Sequence, residues 1–499
     1  MKKSSLFATL AIGLASALAL AGCAGASSSS SGGSDASIAI GSLYEPVNLD
    51  NTAGGGQGVT EALNGNVYEG LFTLTDNGKV EPLLATKYTT SEDGLTYTFT
   101  LRDDVKFHSG KALTSADVKR SIERVTAADS QSARKGQLAV ISKIDTPDDK
   151  TVTITLKSRS ISLPYNLSYV WIYGPGTSKY KTAEDGTGPY TLGTWKRGSS
   201  LSLERWSGYW GEQAKNKAVE FDYFTDASAL SNALQTKQVD IVTSIQSPDA
   251  LTTFTDNKDY TISEGKSTTK ELLAFNDKVA PFDKVEVRKA IYSAIDTKKL
   301  LNSIWGDYGT LIGSMVPPSD PWYEDLTKVN PYDVNLAKKE LADAGLPNGF
   351  SFTLDTPTYD PHPAVAEFLK SELAKVGVTV TINSISADEW YTKVFKNHDF
   401  TATLQEHVND RDVVWYGNPD FYWGYDNPQV TQWVDEAEQA STTAEQTAKL
   451  KQVNEQIAKD AASAWLYLYP QIVVADSSVS GYPVNGLNSQ FFAYDIVKK

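Results

Sequence analysis

The feature that most constrains the fold is an alternation of strand-like and helix-like segments after residue 266. Apolar residues at helical spacing, such as Val365, Leu369 and Leu373, predict helices between short β-rich runs. The β-rich runs are ELLAFN (271–276), FSFTLDTP (350–357), VTVTINSI (378–385) and FTATLQ (400–405). Strands that alternate with helices in this way indicate a parallel sheet covered by helices, and the chain is therefore predicted to have an α/β fold.

The first half and the end of the chain predict further strands. Three runs alternate apolar and polar side chains with the period of a half-buried strand: IAIGSL (38–43), YTFTLRDDVKF (97–107) and TVTITLKS (151–158). Thr114 and Asp117 resemble a capping box and predict a helix over 116–125. Near the end, the apolar run WLYLYPQIVVAD (465–476) is predicted to be one strand.

Cys23 is the only cysteine in 499 residues, and the residues before it indicate its role. A basic start, an apolar run and small residues form a secretory signal over residues 1–22. The segment LAGC (20–23) resembles a bacterial lipobox, in which the cysteine accepts a diacylglycerol and becomes the new N-terminus. We therefore expect Cys23 to anchor the protein on the outer face of the cell membrane, with the Ser- and Gly-rich residues 23–37 as a flexible tether. By analogy, this arrangement is typical of a Gram-positive surface.

Composition excludes some classes of partner. The formal net charge is −15, which opposes binding to nucleic acid because such binding requires a basic surface. If the single thiol carries a lipid, the exported body has no disulfide, and a large hydrophobic core must stabilise it. A chain of 499 residues is long enough for two or three domains.

Motifs for catalysis and for cofactors are absent from the sequence. There is no H-E-x-x-H and no G-x-S-x-G, and the four histidines are scattered along the chain. The segment Gly265-Lys266-Ser267 resembles the end of a Walker A loop, but Tyr260 stands where that motif requires glycine. We therefore predict no catalytic residues, no metal site and no cofactor, and hence a protein that is not an enzyme.

Residues 403–426 combine charged and aromatic side chains just after a predicted strand, where open α/β sheets bind ligands. Carboxylates beside aromatic rings suit a cation or amine, and an arginine can pair with a carboxylate. A solvated charged loop would show the same composition, so the residues alone leave both interpretations open. The candidate residues are Glu406, Asp410, Arg411, Asp412, Trp415, Tyr416, Tyr422 and Trp423.

Several segments resemble the extracellular solute-binding proteins of family 5, the peptide-binding proteins of ABC importers. The most specific is Asp93 to Phe99 (DGLTYTF), which continues through Val105 to His108 (VKFH) and Leu113-Thr114. The segments Tyr68 to Leu71 (YEGL) and Gly186 to Tyr190 (GTGPY) agree with it. The resemblance covers nearly the whole chain after the signal.

The resemblance implies a type II, cluster C periplasmic-binding-protein-like fold, a Venus flytrap with three lobes. Domain I would be discontinuous, domain II would be an insertion, and strands near 272–276 and 473–476 would form the hinge. The implied ranges are domain I at 38–58, 176–267 and 473–499, domain II at 59–175, and domain III at 268–472. The implied mechanism is capture of a small solute by lobe closure and delivery to the permease subunits of an importer, by a monomer.

The family also implies a site. An aspartate of domain III meets the α-amine of a bound peptide, and the candidates are Asp410 and Asp412, with Glu406 behind them and Gln57 on the facing lobe. Because relatives bind other solutes, a non-peptide ligand such as an oligosaccharide or a metal chelate is the alternative. A lipid-anchored hydrolase and a sensor that has lost its importer are weaker alternatives.

Overall fold

The structure is a computed structural model that describes residues 36–499 except 55, 76, 177, 178, 246 and 247. The predicted signal, the lipobox cysteine Cys23 and nearly all of the predicted tether lie outside the described residues. In the described part, every helix is too short or too polar to cross a membrane.

Strands and helices are interspersed along the chain. The strands are β1 Ser37–Ser42, β2 Phe72–Leu74, β3 Val80–Pro82, β4 Ala85–Thr90, β5 Thr96–Leu101, β6 Ile141–Asp148, β7 Thr151–Leu156, β8 Tyr190–Lys196, β9 Ser200–Arg205, β10 Ala218–Tyr223, β11 Ile241–Val242, β12 Tyr260–Gly265, β13 Lys270–Phe275, β14 Ser351–Pro357, β15 Thr379–Ile385, β16 Ala402–His407, β17 Ser463–Leu468, β18 Gln471–Asp476, β19 Val479–Ser480 and β20 Val497–Lys498. The α-helices are α1 Gly56–Leu63, α2 Ser115–Thr126, α3 Lys135–Leu138, α4 Leu163–Leu167, α5 Ala227–Gln235, α6 Val285–Ser293, α7 Thr297–Trp305, α8 Val334–Asp343, α9 His362–Ala374, α10 Ala387–Trp390, α11 Pro428–Glu438 and α12 Thr443–Lys459. The 3-10 helices are Pro248–Leu251, Asp412–Gly417 and Leu487–Ser489, and a π-helix spans Tyr391–Lys396.

A seven-stranded sheet gathers strands from the start, the middle and the end of the chain. Its order is β12-β18-β11-β1-β10-β9-β8. Strand β1 lies parallel to both β10 and β11, and the other neighbours are antiparallel. Ile38 and Ile40 of β1 are fully buried against Val219 and Phe221 of β10, so the alternation that predicted β1 does place its apolar face in a core.

A separate four-stranded antiparallel sheet, β4-β5-β7-β6, contains the segment that most resembles the family signature. Tyr97, Phe99 and Leu101 point into its core, while the intervening threonines are half-buried. The predicted helix is confirmed as α2, and its capping box is present: the Thr114 amide donates to the Asp117 carboxylate at 3.0 Å.

The third large sheet has the order β15-β14-β16-β13-β17 and is mixed rather than parallel. Strands β14, β15 and β16 are parallel, as predicted. The prediction is wrong for β13, because β13 runs antiparallel to both of its neighbours, β16 and β17. An alternation of strands and helices in the sequence indicates how consecutive strands are connected, but not which strands pair. The strands that pair with β13 lie more than 100 residues further along the chain.

Two short segments connect the seven-stranded sheet with the five-stranded sheet. Residues 266–269 lead from β12 to β13, and Tyr469-Pro470 leads from β17 back to β18. The prediction of one strand over 465–476 is therefore wrong: Pro470 cannot donate a ladder hydrogen bond, and the run divides there into two strands of different sheets. The segments that cross between the sheets begin a few residues before the expected hinge strands. The predicted domain boundaries stay predictions.

Candidate functional site

A cleft that is partly open to solvent lies where the two crossing segments meet, and its enclosed space is about 60 Å³. Ser267 and Thr269 of the first crossing line it, together with Tyr469 and Pro470 of the second. Further lining residues come from both sheets and from the helices beside them, including Gln57 and Glu61 of α1, Trp305 of α7, and Glu406 of β16. A solute in this cleft would contact parts of the chain that belong to different sheets, which is the geometry that couples binding to a relative movement of those parts.

Helix α1 brings Gln57 and Glu61 to the cleft. Gly58 makes this possible, because a Cβ atom there would lie 2.1 Å from the Tyr44 carbonyl oxygen. The Glu61 carboxylate is buried and accepts hydrogen bonds from the hydroxyl groups of Ser42 at 2.5 Å and Thr243 at 2.6 Å. Burial raises the pKa of Glu61 above its ordinary value, and the two hydroxyl donors oppose that rise.

The five-stranded sheet contributes a second pair of acids. Glu271 of β13 lies directly opposite Glu406 of β16 in the antiparallel register, so their side chains leave the same face of the sheet. Glu271 is fully buried, and the Tyr469 hydroxyl donates to its Oε2 at 2.5 Å. Burial raises the pKa of Glu271 to about 8. Burial also raises the pKa of Glu406; the charge of His362 opposes this rise, and the charge of Glu271 adds a smaller contribution to it.

His362 at the start of α9 lies beneath this pair, with its Nε2 3.5 Å from Glu271 Oε2. Burial lowers the pKa of His362, which keeps the imidazole neutral at neutral pH. In its neutral form this histidine carries no positive charge to offset Glu406. No lysine, arginine or histidine lines the cleft among the described residues.

A second cavity, of about 480 Å³, lies between the loop after β16 and the segment containing α3 and α4, and it is lined by Asp410, Arg411, Asp412 and Trp415. The Tyr165 hydroxyl donates to Asp410 Oδ1, and the Arg411 guanidinium lies 3.8 Å from Asp410 Oδ2. That guanidinium also lies over the Tyr165 ring at 3.6 Å. Asp410 is thus available at the wall of a cavity, but it is already held by a phenol and an arginine.

Asp412 pairs with a lysine. Its Oδ2 lies 3.0 Å from the ammonium of Lys270, which is fully buried and also donates to the Asn409 carbonyl. Burial alone would raise the pKa of Asp412, but Lys270 and His407 bring it below its ordinary value. Asp412 therefore anchors the loop after β16 to β13, and in this geometry its charge is not available to a ligand amine.

The aromatic residues predicted for the site divide into two groups. Tyr416, Tyr422 and Trp423 are buried in the core and line neither cavity, and Tyr416 stacks on Trp423 with ring centres 4.3 Å apart. Trp415 is half-buried, stacks on Phe421 and lines the second cavity. The three buried rings support the loop, and Trp415 alone of the four reaches a cavity wall.

The sequence analysis thus found Glu406 and Gln57 at the cleft and a second group at the neighbouring cavity. It missed Glu61, Glu271 and Lys270. A glutamate inside the apolar run ELLAF was the available signal for Glu271, since a charged residue within a buried strand requires a specific environment. In the described part of the chain, no group of three or more His, Cys, Asp or Glu side chains is arranged to hold a metal ion.

Comparisons with known proteins find similar sequences over most of the chain. A model described as "Bacterial extracellular solute-binding proteins, family 5 Middle" matches residues 79–410. The glutathione-binding protein GsiB of Salmonella typhimurium (strain LT2) is 30% identical over 376 residues, which cover 71% of this chain and 70% of GsiB.

Solved structures of two binding proteins have a similar fold. AgaA from A. tumefaciens R10, in complex with agropinic acid, has a TM-score of 0.78 at 25% identity and covers 93% of this chain and 99% of its own. DppA from Helicobacter pylori, an ABC transporter-associated periplasmic binding protein in complex with the peptide STSA, has a TM-score of 0.77 at 22% identity and covers 93% and 98%.

Proposed function

The chain belongs to the bacterial extracellular solute-binding proteins of family 5, and from that premise we propose that it captures peptides and delivers them to the membrane subunits of an ABC importer. The family and the type II periplasmic-binding-protein-like fold predicted from the sequence are confirmed. As a member of this family, the chain is a small-solute-binding protein of an ABC importer. The peptide as ligand is the proposal.

The observation that carries the proposal is the position of the cleft at both crossing segments. Residues 266–269 and 469–470 are the short connections about which the two sheets can rotate, and both contribute side chains to the cleft wall. A ligand bound there contacts both sides and stabilises the closed arrangement, provided that it binds that arrangement more tightly.

The nature of the side chains favours a peptide over the alternatives. The loop aromatics Tyr416, Tyr422 and Trp423, which would suit stacking on an oligosaccharide, are buried and do not line the cleft. Glutathione, the ligand in the name of GsiB, is a tripeptide with one ammonium group and two carboxylates, and the acids Glu61 and Glu406 would repel the additional carboxylate that an uncharged-side-chain peptide lacks. A peptide has an ammonium group for the carboxylates and a main chain whose donors and acceptors are the same in every sequence.

The remaining parts of the proposal concern location. We propose that Cys23 carries the lipid, that the Ser- and Gly-rich tether holds the body outside the membrane, and that the protein acts as a monomer. The support is the lipobox-like LAGC at residues 20–23 and the single cysteine of the chain. Two or more acyl chains are needed for a stable anchor, which the diacylglycerol of a lipobox cysteine supplies.

Lobe closure on a peptide is the experiment that tests the function. Fluorophores on cysteines placed at Gln213 and Lys370, two exposed positions near different sheets, report the distance between the sheets in the full chain purified in detergent. We expect a mixture of two- to five-residue peptides to increase energy transfer, and a mixture of oligosaccharides to leave it unchanged. Closure by the sugars, or by nickel–histidine, and not by any peptide would overturn the proposal.

A further inference from the structure

The charges around the cleft are unbalanced. Glu61 and Glu406 line it, and Glu271 lies on the face of β13 that Glu406 shares across the strand pair. Two acids thus line the cleft, Glu271 is buried behind its wall, and the described lining contains no basic side chain. One peptide ammonium group offers a single positive charge to them.

The basic side chains near the cleft are either paired with another group or neutral. Lys270 precedes Glu271 in β13, so its side chain leaves the opposite face, where it pairs with Asp412 at 3.0 Å. His362 lies 3.5 Å from Glu271, but burial favours its neutral form. Neither group offsets the charge of Glu61 or Glu406 at the cleft.

A second observation points to a missing ligand group. Glu271 is fully buried, and its Oε1 has no hydrogen-bond partner, although Oε2 accepts from Tyr469. Glu271 does not itself line the cleft, but it lies opposite Glu406 and is bonded to Tyr469, and both of those residues do line it. A buried carboxylate oxygen without a donor is costly, and a donor supplied by the ligand removes that cost.

We infer that the cleft accepts a cationic side chain, so that the preferred solute is a peptide carrying lysine or arginine. This inference rests on the proposed function and deepens it. The guanidinium or ammonium group would lie between Glu61 and Glu406 and supply the donor that Glu271 lacks. Charge-assisted hydrogen bonds of this kind are stronger than neutral ones, which makes the charge, and not only the size, of the side chain decisive.

Citrulline provides the test, because it has nearly the shape of arginine and no charge. Calorimetry on the full chain in detergent compares tripeptides of alanine that carry arginine or citrulline at each of the three positions. At one position at least, we expect the arginine peptide to bind ten times or more tightly than its citrulline partner. In Glu406→Gln the ratio of the affinity for the arginine peptide to that for the citrulline peptide should fall below about three. Glu389→Gln, an exposed control on α10, should keep the affinity ratio of the wild type.

The outcomes separate the two proposals. Equal binding of arginine and citrulline peptides at every position overturns the cationic cleft and leaves peptide capture standing. Agmatine, an amine with a guanidinium group and no carboxylate, is titrated alongside. Binding of agmatine without binding of any tripeptide supports the cationic cleft and overturns peptide capture, and binding of neither agmatine nor any tripeptide overturns both.

Discussion

The buried pair of Lys270 and Asp412 should be the most sensitive electrostatic contact near the site. The ammonium is fully buried, 3.0 Å from the carboxylate, and its other acceptor is the carbonyl of Asn409. At an effective dielectric constant of about 20, two unit charges at that distance attract by roughly 5–6 kcal/mol. Removing one partner of a buried pair costs about 3–5 kcal/mol, because the other charge is left without compensation. We expect Asp412→Ala to lower the free energy of unfolding by that amount.

Urea unfolding, followed in parallel by tryptophan fluorescence and far-UV circular dichroism, measures the loss where the two transitions coincide. Asp420→Ala is the matched control, since Asp420 is exposed on the same loop. The double variant Lys270→Met/Asp412→Leu removes both charges and should recover most of the lost stability. The reasoning is refuted if Asp412→Ala costs less than about 1 kcal/mol, or if the double variant is as unstable as the single one.

Three further predictions follow from the same geometry. Burial raises the pKa of Glu271 to about 8, so its contribution to stability is complete below pH 4.5 and is lost as the pH rises through 8. The free energy of unfolding of the wild type, measured by urea titration, should therefore decline between about pH 5 and 9. Glu271→Gln should flatten that decline. Gly58→Ala should displace α1 from the Tyr44 carbonyl and weaken peptide binding, measured by calorimetry, at least tenfold. Thr60→Ala on the same helix should leave the affinity unchanged. Unchanged affinity in Gly58→Ala would contradict this role of the glycine. Thr114→Ala removes the capping box of α2 and should cost about 1 kcal/mol in thermal unfolding, and no measurable loss would show that the box is dispensable.

Local signals in the sequence predicted most of the individual elements. The capping box at Thr114 and Asp117 depends on residues three apart, and it is present as predicted. Alternation in β1 and β5 likewise requires only neighbours, and the buried faces are those expected. The break at Pro470 was also visible in the sequence, but the apolar residues on both sides suggested one strand, because only the pairing shows that they belong to different sheets.

Contacts between distant residues explain why the site was predicted only in part. Lys270 and Asp412 are 142 positions apart, and Tyr469 and Glu271 are 198 apart. Nothing in the loop 403–426 distinguishes Asp412, whose charge is neutralised, from Glu406, which faces the cleft, until β13 lies beside β16. The aromatic residues were assigned to a ligand wall for the same reason, since composition does not reveal that Tyr416 and Trp423 stack on each other in the core.

Native mass spectrometry of the purified protein tests the central claim of peptide capture most directly. A receptor with a main-chain-binding cleft should copurify with a mixture of ligands. The account predicts a ladder of short-peptide masses that are released on denaturation, enriched in lysine and arginine. A single sugar or metal-chelate mass, or an empty protein that ignores a peptide library, would contradict it.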